Sequence, residues 1–170
     1  MKKKARKQAK KGPKKAARNV SPIPAGYHSV TPYLVCRGAA KAIAFYAKAF
    51  GAKELFRMAS PDGNVAHAEV RIGDCHVMLG DESPAQGASA PQTIGGTAVH
   101  LLIYTPKVDQ AFARAVAAGA TVELPPTDMF WGDRYCKLVD PFGHKWALAT
   151  HIEDVSPKET NRRAAEAFGG

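Results

Sequence analysis

Val99-His-Leu-Leu-Ile-Tyr-Thr-Pro-Lys-Val-Asp-Gln-Ala-Phe-Ala-Arg-Ala-Val-Ala-Ala-Gly119 repeats the design of Val30-Thr-Pro-Tyr-Leu-Val-Cys-Arg-Gly-Ala-Ala-Lys-Ala-Ile-Ala-Phe-Tyr-Ala-Lys-Ala-Phe-Gly51, and that repetition decides the fold. Each stretch opens with a short β-prone run, passes a turn, continues as an Ala-rich amphipathic helix and stops at Gly-Ala. Laying Gly51 on Gly119 sets the offset at 68 residues. After each Gly-Ala the chain again reads as strand, turn, strand. Two copies of a strand–helix–strand–strand–strand unit therefore account for nearly all of residues 27 to 151. The expected class is α+β with two tandem βαβββ modules, and functional groups are expected where the two copies meet.

Working outward, module 1 is expected over about 28–80, a Gly-, Pro- and Ser-rich linker over 81–96, and module 2 over about 97–151, all in one domain spanning 26–155. In module 1, Thr31 to Cys36 reads as the first strand. Ile43, Tyr46 and Phe50, with Ala39 and Ala42, make the buried stripe of the helix, and Gly51 is its left-handed stop. Ser60-Pro-Asp-Gly63 has turn chemistry. In module 2, Thr105 is the expected N-cap with Pro106 at the first helical position, and Val108, Phe112 and Val116 recur at i, i+4 and i+8. A strand over Thr121 to Leu124 should end at Pro125-Pro126, which forces an extended loop. Tyr135 to Val139 and Lys145 to Thr150 pair across Asp140-Pro-Phe-Gly143. Ser156-Pro-Lys-Glu159 is a capping box that starts a last helix within 156–170, ending near Phe168.

The 170 residues suffice for one core of ordinary size, with 45% hydrophobic content. The net charge of +9 is local: residues 1 to 20 hold ten of the 24 Lys and Arg and no acid, leaving 14 basic against 15 acidic residues in the rest. Residues 1–25 are expected to be a disordered Lys-rich tail. Residues 2–18 read either as an arm that meets nucleic acid or another polyanion, or as a solvated tail. Cys36, Cys75 and Cys136 have no CxxC spacing and are odd in number, so no disulfide framework is expected, and all three are expected inside strands as small buried residues. No apolar run approaches the roughly 20 residues that span a bilayer, and no apolar segment follows the charged N-terminus as in a secretory signal. The reading is a soluble protein in a reducing, cytoplasmic setting.

Candidate site residues follow from alternation along the strands. From Val65, one face carries Ala66, Ala68, Val70 and Ile72, which suit the underside of a helix, and the other carries Val65, His67, Glu69 and Arg71. His67 and Glu69 share a face two residues apart, as ligand-binding groups or as an acid–base pair, or they satisfy each other or Arg71. His100 alternates with Leu102 and Tyr104 in an apolar run, as a core residue or a ligand group. The loop Asp128-Met-Phe-Trp-Gly-Asp-Arg134 offers two adjacent rings and a guanidinium, suited to an anionic or planar small ligand, or to fastening a turn.

Ala-Phe-Tyr in the first helix with Phe-Gly-Ala after it, and Asp140-Pro-Phe-Gly-His144 between the last strands, resemble the vicinal oxygen chelate superfamily of glyoxalases, bleomycin-resistance proteins, fosfomycin-resistance enzymes and extradiol dioxygenases. Pro32-Tyr33-Leu34, His67-Ala-Glu69 and Trp131-Gly-Asp-Arg134 resemble its PhnB-like branch. The resemblance covers roughly residues 28–155. It implies paired βαβββ modules whose cupped sheets are completed within a homodimer. It also implies metal-ligand positions at Thr31 and Met78 in the first copy and His100 and Ala147 in the second. Of these only His100 suits a divalent metal, and such sites need about three protein ligands. The family metal site is thus expected to be absent, unless His67 and Glu69 rebuild it.

The leading expectation is a protein that binds a small molecule in a cleft lined by Thr31, His67, Glu69, His100, Trp131 and Arg134. The alternatives are a lyase- or transferase-type enzyme, with a rebuilt metal site or with His67 and Glu69 as catalytic pair, and a polyanion-associated protein acting through its tail.

Overall fold

The computed structural model describes residues 20–169. Residues 1–19 of the segment expected to be disordered, and with them the polyanion arm expected over 2–18, fall outside the described residues, whereas residues 20–25 are described and form bends and turns without helix or strand. The first module runs β1 (Tyr33–Cys36), α1 (Ala39–Phe50), β2 (Lys53–Ala59), β3 (Val65–Ile72) and β4 (Cys75–Asp81). A short helix α2 (Pro91–Ile94) lies in the expected linker. The second module runs β5 (His100–Tyr104), α3 (Val108–Ala118), β6 (Thr121–Asp128), β7 (Asp133–Val139) and β8 (Lys145–His151), and α4 (Pro157–Phe168) follows. Each module makes a four-stranded mixed sheet, in the order β1-β4-β3-β2 and β5-β8-β7-β6. The first strand of each lies parallel to the last, and the other pairs are antiparallel. The expected α+β class with two βαβββ units is what the chain forms.

The long helix within each module begins where the last strand of that module supplies a cap. Gly38 at the N-cap of α1 has no side chain to offer, and Asp81 Oδ1 accepts from the Gly38 and Ala39 amides at 2.9 and 2.7 Å. The second oxygen of Asp81 accepts from Val65 N at 2.7 Å, so one carboxylate ties helix start, β3 and β4. In α3 the expected cap is displaced. The helix begins at Val108, not at Pro106, because Thr150 Oγ1 of β8 accepts from Val108 N at 3.0 Å and donates to Thr105 O at 2.7 Å. Each arrangement satisfies amide donors that a helix start leaves orphaned.

Two further expectations are corrected. β6 does not stop at Leu124 but continues through Pro125 and Pro126 to Asp128, with register shifts on either side of Leu124. It is an edge strand, so missing amide donors there break no ladder bond. In β3 the alternation fails at its start, where Val65 is buried and Ala66 exposed, next to a register shift between Met58 and Ala59. From His67 onward the faces are as expected: Ala68, Val70 and Ile72 are buried, while His67 and Glu69 are half-buried on the other side.

The two modules share one core. α1 packs against α3, and both lie on the sheet faces that carry Val70, Leu79, Leu138 and Leu148. Fully burying such a side chain stabilises by about 1.5–3 kcal/mol. Phe45, Tyr46 and Phe50 of α1 pack with Phe142 and Trp146 from the β7–β8 region, with Phe50 and Trp146 ring centroids 4.7 Å apart. Asp140 organises this junction. Its Oδ1 accepts from the Phe142 and His144 amides at 2.8 and 2.9 Å, and its Oδ2 from Tyr46 Oη and Trp146 Nε1 at 2.8 and 2.9 Å. Cys36 and Cys136 are buried as expected, and burial pushes the Cys36 thiol up to about 12, leaving it an unreactive neutral group. Cys75 departs from the expectation: it is exposed beside the Gly73-Asp74 turn, with Sγ 3.6 Å from His28 Nδ1.

Candidate functional site

Helices cover one face of each sheet and leave the other open. On the open face of the first sheet the register brings Tyr33 beside Met78, Met78 beside Glu69, and Glu69 and His67 beside Phe56 and Met58. His67 sits between two partners, with Nδ1 3.3 Å from Tyr33 Oη and Nε2 3.3 Å from Glu69 Oε1. Its ring lies 5.7 Å from that of Tyr33 and 6.1 Å from that of Phe56. Tyr27, from the segment before β1, donates to Glu69 Oε2. That bond, with lesser help from His67, holds the Glu69 carboxyl below the usual carboxylate range. Sequence reasoning missed Tyr27, since no local pattern links it to a strand 42 residues later. Around this polar centre Tyr33, Phe56 and Met58 are each 50% exposed, and the register sets them on one face as an apolar patch.

On the open face of the second sheet, His100, Leu102 and Tyr104 of β5 stand beside Lys145, Ala147 and Ala149 of β8. Tyr104 is 60% exposed, and its hydroxyl donates to Asp133 Oδ2 at 2.9 Å. Asp133 is buried, and also accepts from Trp131 Nε1 at 3.2 Å and pairs with His151 Nδ1 at 2.9 Å. Burial pushes its carboxyl up, but the donors His151, Tyr104 and Trp131 outweigh that and hold it below the ordinary value. His151 Nε2 lies 3.0 Å from Asp154 Oδ1, so the imidazole bridges two carboxylates, which raise its pKa.

The six candidate residues thus fall in separate places within one chain. Thr31, His67 and Glu69 belong to the first sheet and its lead-in. His100 and Trp131 belong to the second sheet, at opposite ends. His100 pairs with Lys145 and Asp133 with His151, six residues apart along β8, or about 20 Å at roughly 3.3 Å per residue. Trp131 is held against Asp133 in a rigid turn, because Gly132 O accepts from the Ile152 and Glu153 amides. Arg134 alternates with Cys136 and Leu138 and so lies on the helix-facing side. Its guanidinium is bidentate to Asp109 of α3 at 2.8 and 2.7 Å and bonds Asp128 at 2.8 Å. Those donors are committed to carboxylates of the chain itself.

The metal positions implied by the resemblance do not assemble a donor set. Met78 and Ala147 occupy matching places, facing Tyr33 and Leu102, and neither offers a hard donor. His67 and Glu69 add two donors, already engaged with Tyr33 and Tyr27. Among the described residues no three His, Cys, Asp or Glu side chains converge as a metal would require.

This architecture has close parallels among known proteins. Residues 26–148 match the family model of the glyoxalase/bleomycin resistance protein/dioxygenase superfamily. The chain belongs to that superfamily. An uncharacterized protein of Mycobacterium tuberculosis is 45% identical over 134 residues, covering 77% of this chain and 79% of its own length. Among solved structures, TioX from Micromonospora sp. ML1 aligns with a TM-score of 0.59 at 27% identity, over 72% of this chain and 97% of TioX. The fosfomycin resistance protein FosX of Listeria monocytogenes, solved with Mn(II) and sulfate, aligns with a TM-score of 0.57 at 16% identity, over 81% of this chain and 97% of FosX. At that identity FosX shows the shared fold alone. No helix among the described residues is long and apolar enough to cross a membrane.

Proposed function

We propose that this superfamily member binds a small organic molecule on the open face of its first sheet without a metal, in the manner of a sequestering or carrier protein of the PhnB-like branch. The observation that carries the reading is the polar pair His67–Glu69 set in a half-exposed apolar surface of Tyr33, Phe56, Met58 and Met78. A few directed polar groups within an apolar concavity are what a small-ligand site requires. The donor set at Thr31, Met78, His100 and Ala147 favours a metal-independent mode. A second copy of the chain would cover this face with the equally open face around Leu102 and Tyr104, which would bring His100 into the same cleft. Both faces expose large side chains that a monomer leaves wet.

The test is a ligand screen by thermal shift on the full chain, with and without EDTA, followed by calorimetry on hits and sedimentation of the free protein. Binding that survives EDTA, weakens in His67→Ala and Glu69→Gln, and accompanies a dimer supports the reading. Hits abolished by EDTA would overturn it.

The Tyr33–His67–Glu69 chain of contacts also favours a second reading, proton transfer with Glu69 orienting His67 as base. A bound ligand consumed by the wild type and left intact by His67→Ala would select this enzyme reading over simple sequestration.

A further inference from the structure

The segment before β1 lies against the same face. Pro22, Ile23, Pro24, Tyr27 and Thr31 line a hollow of about 500 Å³ together with Glu69 and Met78. Three consecutive residues pin the segment to the sheet. Gly26 O accepts from His76 Nδ1, the Tyr27 ring stacks on His76 with centroids 4.3 Å apart and planes at 15°, and His28 meets Cys75. Gly26 sits at φ +84°, and a Cβ there would lie 2.7 Å from His76 Cε1, so the close approach depends on glycine. Elsewhere the hold is weak: Ile23 is 47% and Val30 83% exposed. A segment with few buried apolar contacts opens at low free energy.

We propose that residues 22–31 form a strap over the β3–β4 face, that Tyr27 is its latch through Glu69, and that a ligand enters by replacing the Tyr27 hydroxyl on that carboxylate. The strap rests on the reading of this face as the binding surface, but its opening can be measured without any ligand. The chemistry selects the ligand class. Glu69 is half-buried and accepts from Tyr27 on Oε2 while Oε1 faces His67. A molecule that lifts Tyr27 must bring its own N–H or O–H donor, or it leaves a sheltered carboxylate oxygen unsatisfied. The occupant is therefore a molecule with a hydrogen-bond donor and an apolar body to match Tyr33, Phe56 and Met58. A latch of this kind lowers apparent affinity by the fraction of open protein.

The experiment uses the full chain as wild type, Tyr27→Phe and Gly26→Ala. Phenylalanine keeps the stacking on His76 and deletes only the hydroxyl, and alanine disrupts the pinned turn. Hydrogen exchange is followed at the Tyr27 amide, which bonds Pro24 O, with the Met78 amide, bonded to Pro32 O, as internal reference. Strap opening should rise roughly ten-fold in Tyr27→Phe and further in Gly26→Ala, with Met78 unchanged. The binding probes are 2-naphthol and its methyl ether, read by fluorescence. Naphthol should bind roughly ten-fold tighter to Tyr27→Phe than to wild type, and the ether should bind wild type at least ten-fold more weakly than naphthol does. Unchanged strap exchange in both variants overturns the latch. A strap that loosens while naphthol affinity stays the same overturns the gate and leaves the binding face standing. Naphthol that binds no variant, with the strap opening as expected, removes the binding face and the gate together.

Discussion

Tyr46 Oη of the first module donates to Asp140 Oδ2 of the second at 2.8 Å, inside the core where the helices meet. Asp140 also accepts from Trp146 and two backbone amides, so one carboxylate fixes a helix of module 1 to the β7–β8 turn of module 2. His144 adds a second tie, with Nε2 3.1 Å from Val35 O of β1. The Asp-Pro-Phe-Gly-His motif thus acts as the clasp between the copies. Tyr46→Phe should cost about 1–2 kcal/mol, and Asp140→Asn about 2–4 kcal/mol, because an amide N–H would face two donors. Urea unfolding monitored by circular dichroism reads both, and the order Asp140→Asn above Tyr46→Phe is the decisive outcome.

His151 lies between Asp154 and Asp133, which raise its pKa above the ordinary histidine value of 6.5. The protonated imidazole is the form both carboxylates favour. A raised folded-state value means the stabilisation is fully present below the unfolded pKa and disappears as pH rises through the raised one. The stability gap between wild type and His151→Gln should therefore be largest near pH 6 and shrink above pH 7, shown by thermal unfolding in buffers across that range. An NMR titration of His151 with a midpoint at or below 6.5 would contradict this.

Gly132 holds φ +97°, and a Cβ there would stand 2.1 Å from Glu153 O. Gly132→Ala must push away the 152–154 segment, which carries Glu153, the partner of Arg163 in α4. Positive φ alone costs a non-glycine residue of order 1–3 kcal/mol. The variant should lose at least that much stability and release Trp131 from Asp133, seen as a shift in tryptophan emission.

Arg134 is a test of which charges serve the fold and which serve a ligand. Its pairs with Asp109 and Asp128 are solvent-exposed, with acceptor side chains 58% and 64% exposed. Arg134→Ala should therefore cost under about 1 kcal/mol. It should leave ligand affinity unchanged where Glu69→Gln weakens it several-fold, both read by calorimetry with a hit from the screen.

The candidate site was partly legible in the chain. Period-two alternation put His67 and Glu69 on the face away from the helix, since side chains in a strand must point to opposite sides. Arg134 shows the limit of the same rule. Its loop neighbours Phe130 and Trp131 made it look like a ligand group, yet its own phase in β7 matches Cys136 and Leu138 and aims it at α3. Tyr27 was invisible, because its partner Glu69 lies across a fold in the chain and no periodicity spans that gap.

By itself the sequence determined the repeat, the class and most element bounds, because those follow from local rules: helix and strand periods, glycine stops, and the Ser156 cap, which accepts from Glu159 N in α4 as its capping box requires. Only the tertiary structure decided where α3 begins and what caps either helix, since the caps are Asp81 and Thr150, donated by strands late in each module. It alone made Asp140 a junction between copies, and laid Tyr27 on Glu69. Each of these is a hydrogen bond between residues tens of positions apart, and its partner is chosen by packing in space rather than by spacing along the chain.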